Sequence, residues 1–170
     1  MAAPLSAPKA PLRMPGVRVM IVAAAYYEAI EKIVASTIAG AERVIKEAGA
    51  EALRIDVPGS LEIPGAIMMA HVASSHGRIP AIDAYVALGC VIRGDTTHYE
   101  IVSEQSAQGI MDLTINPGLA IGNGILTVEN EAQAWARAQE LEPNKGAEAA
   151  RAALAMVALK RQLTGATAQS

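Results

Sequence analysis

The segment at residues 85–98 reads YVALGCVIRGDTTH. Its first half is apolar without a helical period, which predicts a buried strand over residues 85–90. A glycine turn follows, and Thr97 is predicted to begin a helix, with Glu100 three residues on completing a capping box. A strand that runs through a glycine turn into a helix N-terminus leaves unpaired N–H groups that can bind an anion. The segment therefore predicts both a strand–helix unit and an anion pocket at its turn.

The pattern on both sides of this segment repeats the alternation of strand and helix. The predicted elements are strands at residues 17–22, 52–57, 85–90 and 119–127, and helices at 30–45, 61–75, 97–116, 129–138 and 147–163. Pro64 falls in the first turn of the second helix, where its missing N–H does little harm. One crossover helix between successive strands requires a parallel sheet covered on both faces, so we predict a three-layer αβα sandwich.

The composition supports one globular domain. The 170 residues are 52% apolar and 18% charged, enough to bury about two-thirds of the unfolded surface. We expect a flexible arm at residues 1–15, a single domain at 16–164 and a frayed tail at 165–170. Alternatively, the arm is an extended strand that pairs with a neighbouring subunit.

Charge and cysteine usage exclude several classes of protein. A net charge of −3 without a clustered basic face argues against nucleic-acid binding. No run of eighteen apolar residues exists, so we expect no membrane span. The single Cys90 rules out an intramolecular disulfide and fits a reducing compartment. We therefore expect a cytoplasmic protein.

Ligands of such sheets bind beyond the carboxyl ends of the strands. His98 is predicted to lie in the first turn of a helix beside the anion pocket, where an imidazole can act as a proton shuttle. The alternative is an incidental surface histidine on a capped helix. Glu62 follows the Pro58-Gly59 turn and either accepts hydrogen bonds from a ligand or only complements a helix dipole.

Other candidates near the strand ends also have two interpretations. Tyr26 or Tyr27 either stacks on a flat heterocycle or packs at the strand end. Arg137 and Lys145 either hold a phosphate or are solvated surface charges. Cys90 ends an apolar strand, and we interpret it as a small inert hydrophobe. The remaining histidines, His71 and His76, are interpreted as structural.

Three runs together resemble the lumazine synthase family in order and spacing. They are VPGSLEIP at residues 57–64, ALGCVIRGDTTH at 87–98 and NKG at 144–146. The resemblance covers roughly residues 17–160. It implies a flavodoxin-like parallel sheet with helices on both faces, and a pentamer, or a pentamer-based homo-oligomer, whose active sites lie between subunits.

The resemblance also implies a reaction. A ribitylaminouracil condenses with 3,4-dihydroxy-2-butanone 4-phosphate to give 6,7-dimethyl-8-ribityllumazine in riboflavin biosynthesis, with no metal or redox cofactor. An aromatic ring after the first strand stacks on the pyrimidine, the segment after the second strand holds the ribityl chain, and the end of the third strand reads the pyrimidine edge. In that order the residues are Tyr26; Ser60, Leu61 and Glu62; and Cys90, Val91 and Ile92.

The phosphate-bearing substrate is implied to meet a second set of residues. Asp95 and Thr96 match the residues that present N–H and hydroxyl donors, and His98 matches the proton-transfer histidine. Arg137 matches the phosphate-binding arginine and Lys145 a nearby cation. The neighbouring subunit is implied to contribute the side that carries Arg137 and Lys145.

The chain departs from the family pattern at several of these positions. Tyr26 stands in place of Phe, Tyr27 in place of a small polar residue, and Asp95 adds a negative charge beside the phosphate. Asn123, on the neighbour's side, stands where an aromatic or apolar residue packs on the ring. These departures leave open a paralogue that only binds a flavin or lumazine ligand. A flavodoxin-like electron carrier would need a Ser/Thr-rich phosphate loop, whereas this chain has alanines at residues 23–25.

The assembly is a separate expectation. Family members that close into sixty-subunit shells carry a glycine-containing turn before the Asn-Lys-Gly run. Here that turn reads QELEP at residues 139–143, which is stiffer and more acidic, and residues 76–81 form a longer segment. We expect a free pentamer or a pair of pentamers.

Overall fold

The computed structural model describes residues 12–25 and 28–165. Four strands and five helices alternate along them: β1 (Arg18–Ala24), α1 (Glu28–Glu47), β2 (Glu51–Val57), α2 (Ile63–Ser75), β3 (Ala84–Ile92), α3 (His98–Ile115), β4 (Ile121–Val128), α4 (Glu131–Trp135) and α5 (Lys145–Thr164). A short 3-10 turn, Ser60–Glu62, precedes α2, and Pro64 lies in the first turn of α2. No helix within the described part of the chain is long and apolar enough to cross a membrane.

All four strands run parallel in the order β2-β1-β3-β4. Helices α1 and α5 cover one face of this sheet, and α2 and α3 cover the other. Successive side chains of a strand point to opposite faces, so a strand buried on both faces is apolar throughout. This explains the unbroken apolar runs in β1 and β3. The predicted flavodoxin-like αβα sandwich is confirmed.

Several predicted boundaries were wrong. Strand β3 continues past residue 90 to Ile92 because β4 pairs with it up to Val128. The helix predicted at residues 129–138 is only Glu131–Trp135, since Ala138 leaves the helix to form a bridge with Asn144.

The segment before β1 packs against the domain from residue 12 onward. Met14 is buried, and its N–H donates to the Ala48 carbonyl at 2.7 Å. The rest of the predicted arm, residues 1–11, and the tail at 166–170 lie outside the described residues. At the other end, Gly165 ends α5 in the left-handed region with a φ of 69°.

Apolar side chains remain exposed on the outer face of α2 and α3. Met69 and Ile115 are each 74% exposed. The other exposed apolar side chains on these two helices are Met68, Val72, Ile101 and Met111.

Candidate active site

A cavity of about 470 Å³ opens at the carboxyl ends of β2 and β3. This volume lies within the usual range for a small-molecule site, roughly 300–1,000 Å³. The 3-10 turn after β2, the end of β3 and the start of α3 form its walls. The lining residues include eight of the predicted ones: Ser60, Leu61, Glu62, Cys90, Val91, Ile92, Thr96 and His98.

The turn after β2 packs directly on strand β3. A Cβ on Gly89 would lie 2.6 Å from Ser60 Oγ, so a larger residue would force the Ser60 side chain to move. Gly89 lies within the strand, as predicted, and is paired with Ile125 of β4. Its small size therefore positions the 60–62 turn at the cavity rather than bending the chain.

The predicted capping box at the start of α3 was wrong. Thr97 occupies the N-cap position, but its side chain makes no capping hydrogen bond. Glu100 instead pairs with Arg93, whose side chain is held on the other side by Glu129 at 2.7 Å. The hydrogen bond from Arg93 lowers the pKa of the Glu100 carboxyl. The Glu100 side chain therefore forms an ion pair with Arg93, seven residues earlier in the chain, and not a capping hydrogen bond at the start of α3.

Arg93 packs against Tyr99, and these two residues flank the 94–98 loop. The Arg93 guanidinium lies 4.1 Å from the centroid of the Tyr99 ring, next to His98. Inside the loop the His98 N–H approaches Thr96 Oγ1 at 3.4 Å. Asp95 is exposed between Gly94 and Thr96, which both line the cavity, but it does not line the cavity itself.

Cys90 is unsuited to nucleophilic chemistry. Burial, reinforced by the negative charge of Glu131, raises the pKa of its thiol to about 11. The reactive form of a cysteine is the thiolate, so at neutral pH this side chain stays an inert thiol.

A second cavity of about 410 Å³ lies along the edge strand β4 and the start of α5. Three of the remaining predicted residues line it: Asn123, Arg137 and Lys145. Arg137 donates to the Gln133 carbonyl at 2.9 Å, and Lys145 pairs with Glu148 at 2.5 Å. The two cavities share no lining residue.

Apart from Asp95, the predicted site residues that the structure describes are therefore divided between two cavities of one chain. Tyr26 and Tyr27 lie outside the described residues. Three lining residues of the larger cavity lie on helices at positions that the sequence did not single out: Ile30, Tyr99 and Val102. Ile30 and Val102 look like ordinary helix core positions in the sequence, whereas an aromatic directly after His98 was an available signal for Tyr99.

Comparisons of the sequence with known proteins point to one family. A family model described as 6,7-dimethyl-8-ribityllumazine synthase matches residues 16–161. A protein of that name from Nitrobacter winogradskyi is 50% identical over 151 residues, covering 89% of this chain and 90% of the relative. The one from Bartonella henselae is 53% identical over 144 residues, covering 85% and 88%. The one from Novosphingobium aromaticivorans is 52% identical over 143 residues, covering 84% and 96%.

Proposed function

The chain belongs to the 6,7-dimethyl-8-ribityllumazine synthase family, and we propose that its active centre is assembled from the larger cavity of one subunit and the edge cavity of the next. It is an enzyme, a transferase of riboflavin synthesis. It condenses 5-amino-6-(D-ribitylamino)uracil with 3,4-dihydroxy-2-butanone 4-phosphate and releases phosphate and water.

The observation that carries this proposal is the larger cavity at the carboxyl ends of β2 and β3. It gathers the 60–62 turn, the end of β3 and His98 around a space of about 470 Å³. The polar turn suits the hydroxyls of the ribityl chain, with the Glu62 carboxylate as acceptor. The backbone of residues 90–92 suits the pyrimidine edge, and Tyr26 is proposed to stack on the ring.

The phosphate-bearing substrate is proposed to lie between the start of α3 and the neighbour's cations. The first N–H groups of a helix have no partner within the helix and attract an anion. Thr96 adds a hydroxyl, Asp95 its backbone N–H, and Arg137 and Lys145 add positive charge. Asn123 lines the same edge cavity and faces the bound pair from the neighbour.

The chemistry follows from this arrangement. The primary amine of the uracil attacks the ketone and water leaves, which gives a Schiff base. Phosphate departs next, the resulting enol becomes a ketone, and the ribityl-bearing amine closes the ring with loss of a second water. His98 moves protons at the reacting atoms, while Arg137 and the helix N-terminus stabilise the departing phosphate.

Replacement of the proton shuttle tests its role. We expect His98→Ala to lower kcat by roughly 10²-fold, at the lower end of what general acid–base catalysis contributes. Residual turnover survives because the cavity still brings the two substrates together. His71→Ala, in α2 and outside the cavity, is the matched control and should keep the full steady-state rate at neutral pH. An unchanged rate in His98→Ala would refute the assignment.

We propose that the assembly is a pentamer or a pair of pentamers. The exposed apolar side chains on α2 and α3 need a partner surface, and the separated half-sites need a neighbour. The sequence of the 139–143 turn is the reason to expect a pentamer and not a sixty-subunit shell. This turn is closed by a hydrogen bond from the Gln139 N–H to the Pro143 carbonyl. Glu142 of that turn pairs with Arg43 and Arg151.

Mass photometry measures this directly. For a chain of 17.6 kDa we expect particles of about 88 kDa or about 176 kDa, which correspond to one or two rings of five. Particles near a megadalton would show a closed shell and contradict the proposal.

We also propose that the enzyme is a single-domain protein of the cytoplasm. Residues 16–164 are proposed to form one catalytic domain. A cytoplasmic location suits the lone Cys90, which is buried as a free thiol.

A further inference from the structure

The loop between α4 and α5 brings two cations together. Arg137 stands near its start, and Lys145 at its end is the first residue of α5. The Lys145 N–H donates to the Arg137 carbonyl at 2.8 Å, and the Gln139 N–H donates to the Pro143 carbonyl at 3.2 Å. These bonds close the loop on itself. Both cations therefore line the same cavity.

Asn144 anchors this loop to the rest of the domain. Its side chain is completely buried, with 0% exposed. Oδ1 accepts the Ala147 N–H at 3.0 Å, which caps α5. Nδ2 donates to the Ser36 carbonyl of α1 at 3.1 Å and to the Gln139 carbonyl of the loop at 2.7 Å. One amide thus links α1, the loop and α5.

The packing around Asn144 admits little else. A Cβ on Gly40 would lie 2.2 Å from Asn144 Oδ1, and a Cβ on Gly146 would lie 1.9 Å from the Thr37 carbonyl oxygen. Two glycines therefore let α1 and α5 close around this side chain. Since both partners of Nδ2 are carbonyl oxygens, they require a donor and fix the orientation of the amide.

Each cation has its own local partner, but only the loop relates the two to each other. Arg137 is held to α4 through the Gln133 carbonyl, and Lys145 is held to α5 through Glu148. A displaced loop would leave both local contacts intact while changing the distance between the two charges. Binding of a single anion by two cations depends on that distance.

We propose that Asn144 is a positioning residue for phosphate binding, which holds Arg137 and Lys145 at the spacing that a phosphate group requires. The inference rests on the proposed function, in which this cavity receives the phosphate of the butanone substrate. The Asn144 side chain is fully buried, so it acts through the segments that it holds, the loop and the start of α5.

Asn144→Asp is the test variant because aspartate has the same shape. It keeps the acceptor for the Ala147 N–H but places a carboxylate oxygen against the Ser36 and Gln139 carbonyls. We expect the KM for the butanone phosphate and the inhibition constant of inorganic phosphate to rise together, each by about 10-fold. The KM for the ribitylaminouracil should change by less than about 3-fold, since its proposed contacts lie elsewhere.

A milder variant covers the possibility that Asn144→Asp fails to fold. Ser36→Ala removes only the hydrogen bond from Ser36 Oγ to the Ala138 carbonyl at 2.6 Å, another anchor of the same loop. It should raise the same two phosphate constants by roughly 2- to 3-fold. Ile45→Val truncates a core side chain near the C-terminal end of α1. It controls for a general loss of stability and should leave both phosphate constants unchanged.

The inference can be contradicted in two ways. Folded Asn144→Asp with unchanged phosphate constants overturns it, and so does a rise in phosphate constants that Ile45→Val reproduces. Arg137→Ala separates this failure from failure of the proposed function. If Arg137→Ala raises the phosphate constants and Asn144→Asp does not, only the role of Asn144 is wrong. If neither variant raises them, the phosphate does not bind at this cavity and both proposals fall.

Discussion

Mixed assemblies of His98→Ala and Arg137→Ala chains are expected to regain activity that neither parent shows. His98 and Arg137 line different cavities of one chain, so a centre built from two neighbours takes one residue from each. A centre is intact when its His98 comes from the arginine variant and its Arg137 from the adjacent histidine variant. Random assembly of equal amounts around a ring makes this about one centre in four.

The measurement is steady-state turnover of co-expressed chains whose mixed composition is verified by native mass spectrometry. Activity should approach roughly a quarter of the wild-type rate, well above the mean of the two parents. Wild type mixed equally with the double variant His98→Ala/Arg137→Ala is the matched control. It should give about a quarter if the residues lie on neighbours, but about a half if they act within one subunit. Mixed assemblies no more active than the parents' mean would place both residues in one subunit.

Gly122→Ala is expected to destabilise the domain severely. A Cβ at this position in β4 would lie 1.8 Å from the Ala149 carbonyl oxygen and 2.6 Å from its carbon. Both atoms belong to the backbone of α5, so no side-chain rotation relieves the clash and the helix must move off the sheet. Overpacking commonly costs 1–3 kcal/mol, and we expect a loss of about 3 kcal/mol or more, a large part of a typical domain's stability.

Two other glycines provide graded controls for this effect. At Gly124 the nearest atom to a Cβ is at the end of the Leu88 side chain, at 2.7 Å, and not in the backbone, so Gly124→Ala should cost less. Gly65, in α2, has nothing within 4 Å, and Gly65→Ala should be neutral or stabilise by up to about 1 kcal/mol. Urea unfolding at one protomer concentration ranks the three, since the stability of an oligomer depends on concentration. Equal midpoints for Gly122→Ala and wild type would contradict the expected clash.

The order of strands and helices followed from local pattern alone. Apolar runs without helical period marked β1 and β3, and the four-residue spacing of Ile30, Val34 and Ile38 marked α1. Once the elements alternated, the parallel sheet and its two covered faces were required. The location of His98 and Glu62 followed as well, because the ends of parallel strands meet at one edge of the sheet.

Local pattern was misleading wherever a distant residue competed with a near one. The capping box at Thr97 was wrong because Arg93 draws Glu100 away, and the helix around Trp135 was shorter because Ala138 pairs with Asn144. The motif with Asn144 was visible in the sequence, but its buried amide and its three partners were not. Those partners lie on α1, the loop and α5, which only the packed structure brings together.

The sequence by itself determined the fold, the family and the candidate residues, since these depend on patterns read within a few tens of residues. Only the tertiary structure showed that His98 and Arg137 line separate cavities, and that the buried Asn144 amide hydrogen-bonds to the loop between Arg137 and Lys145. The physical reason is that distances between elements depend on how helices pack on the sheet. That packing results from contacts such as those at Gly40, Gly122 and Gly146, whose partners lie about 30 to 100 residues away in sequence.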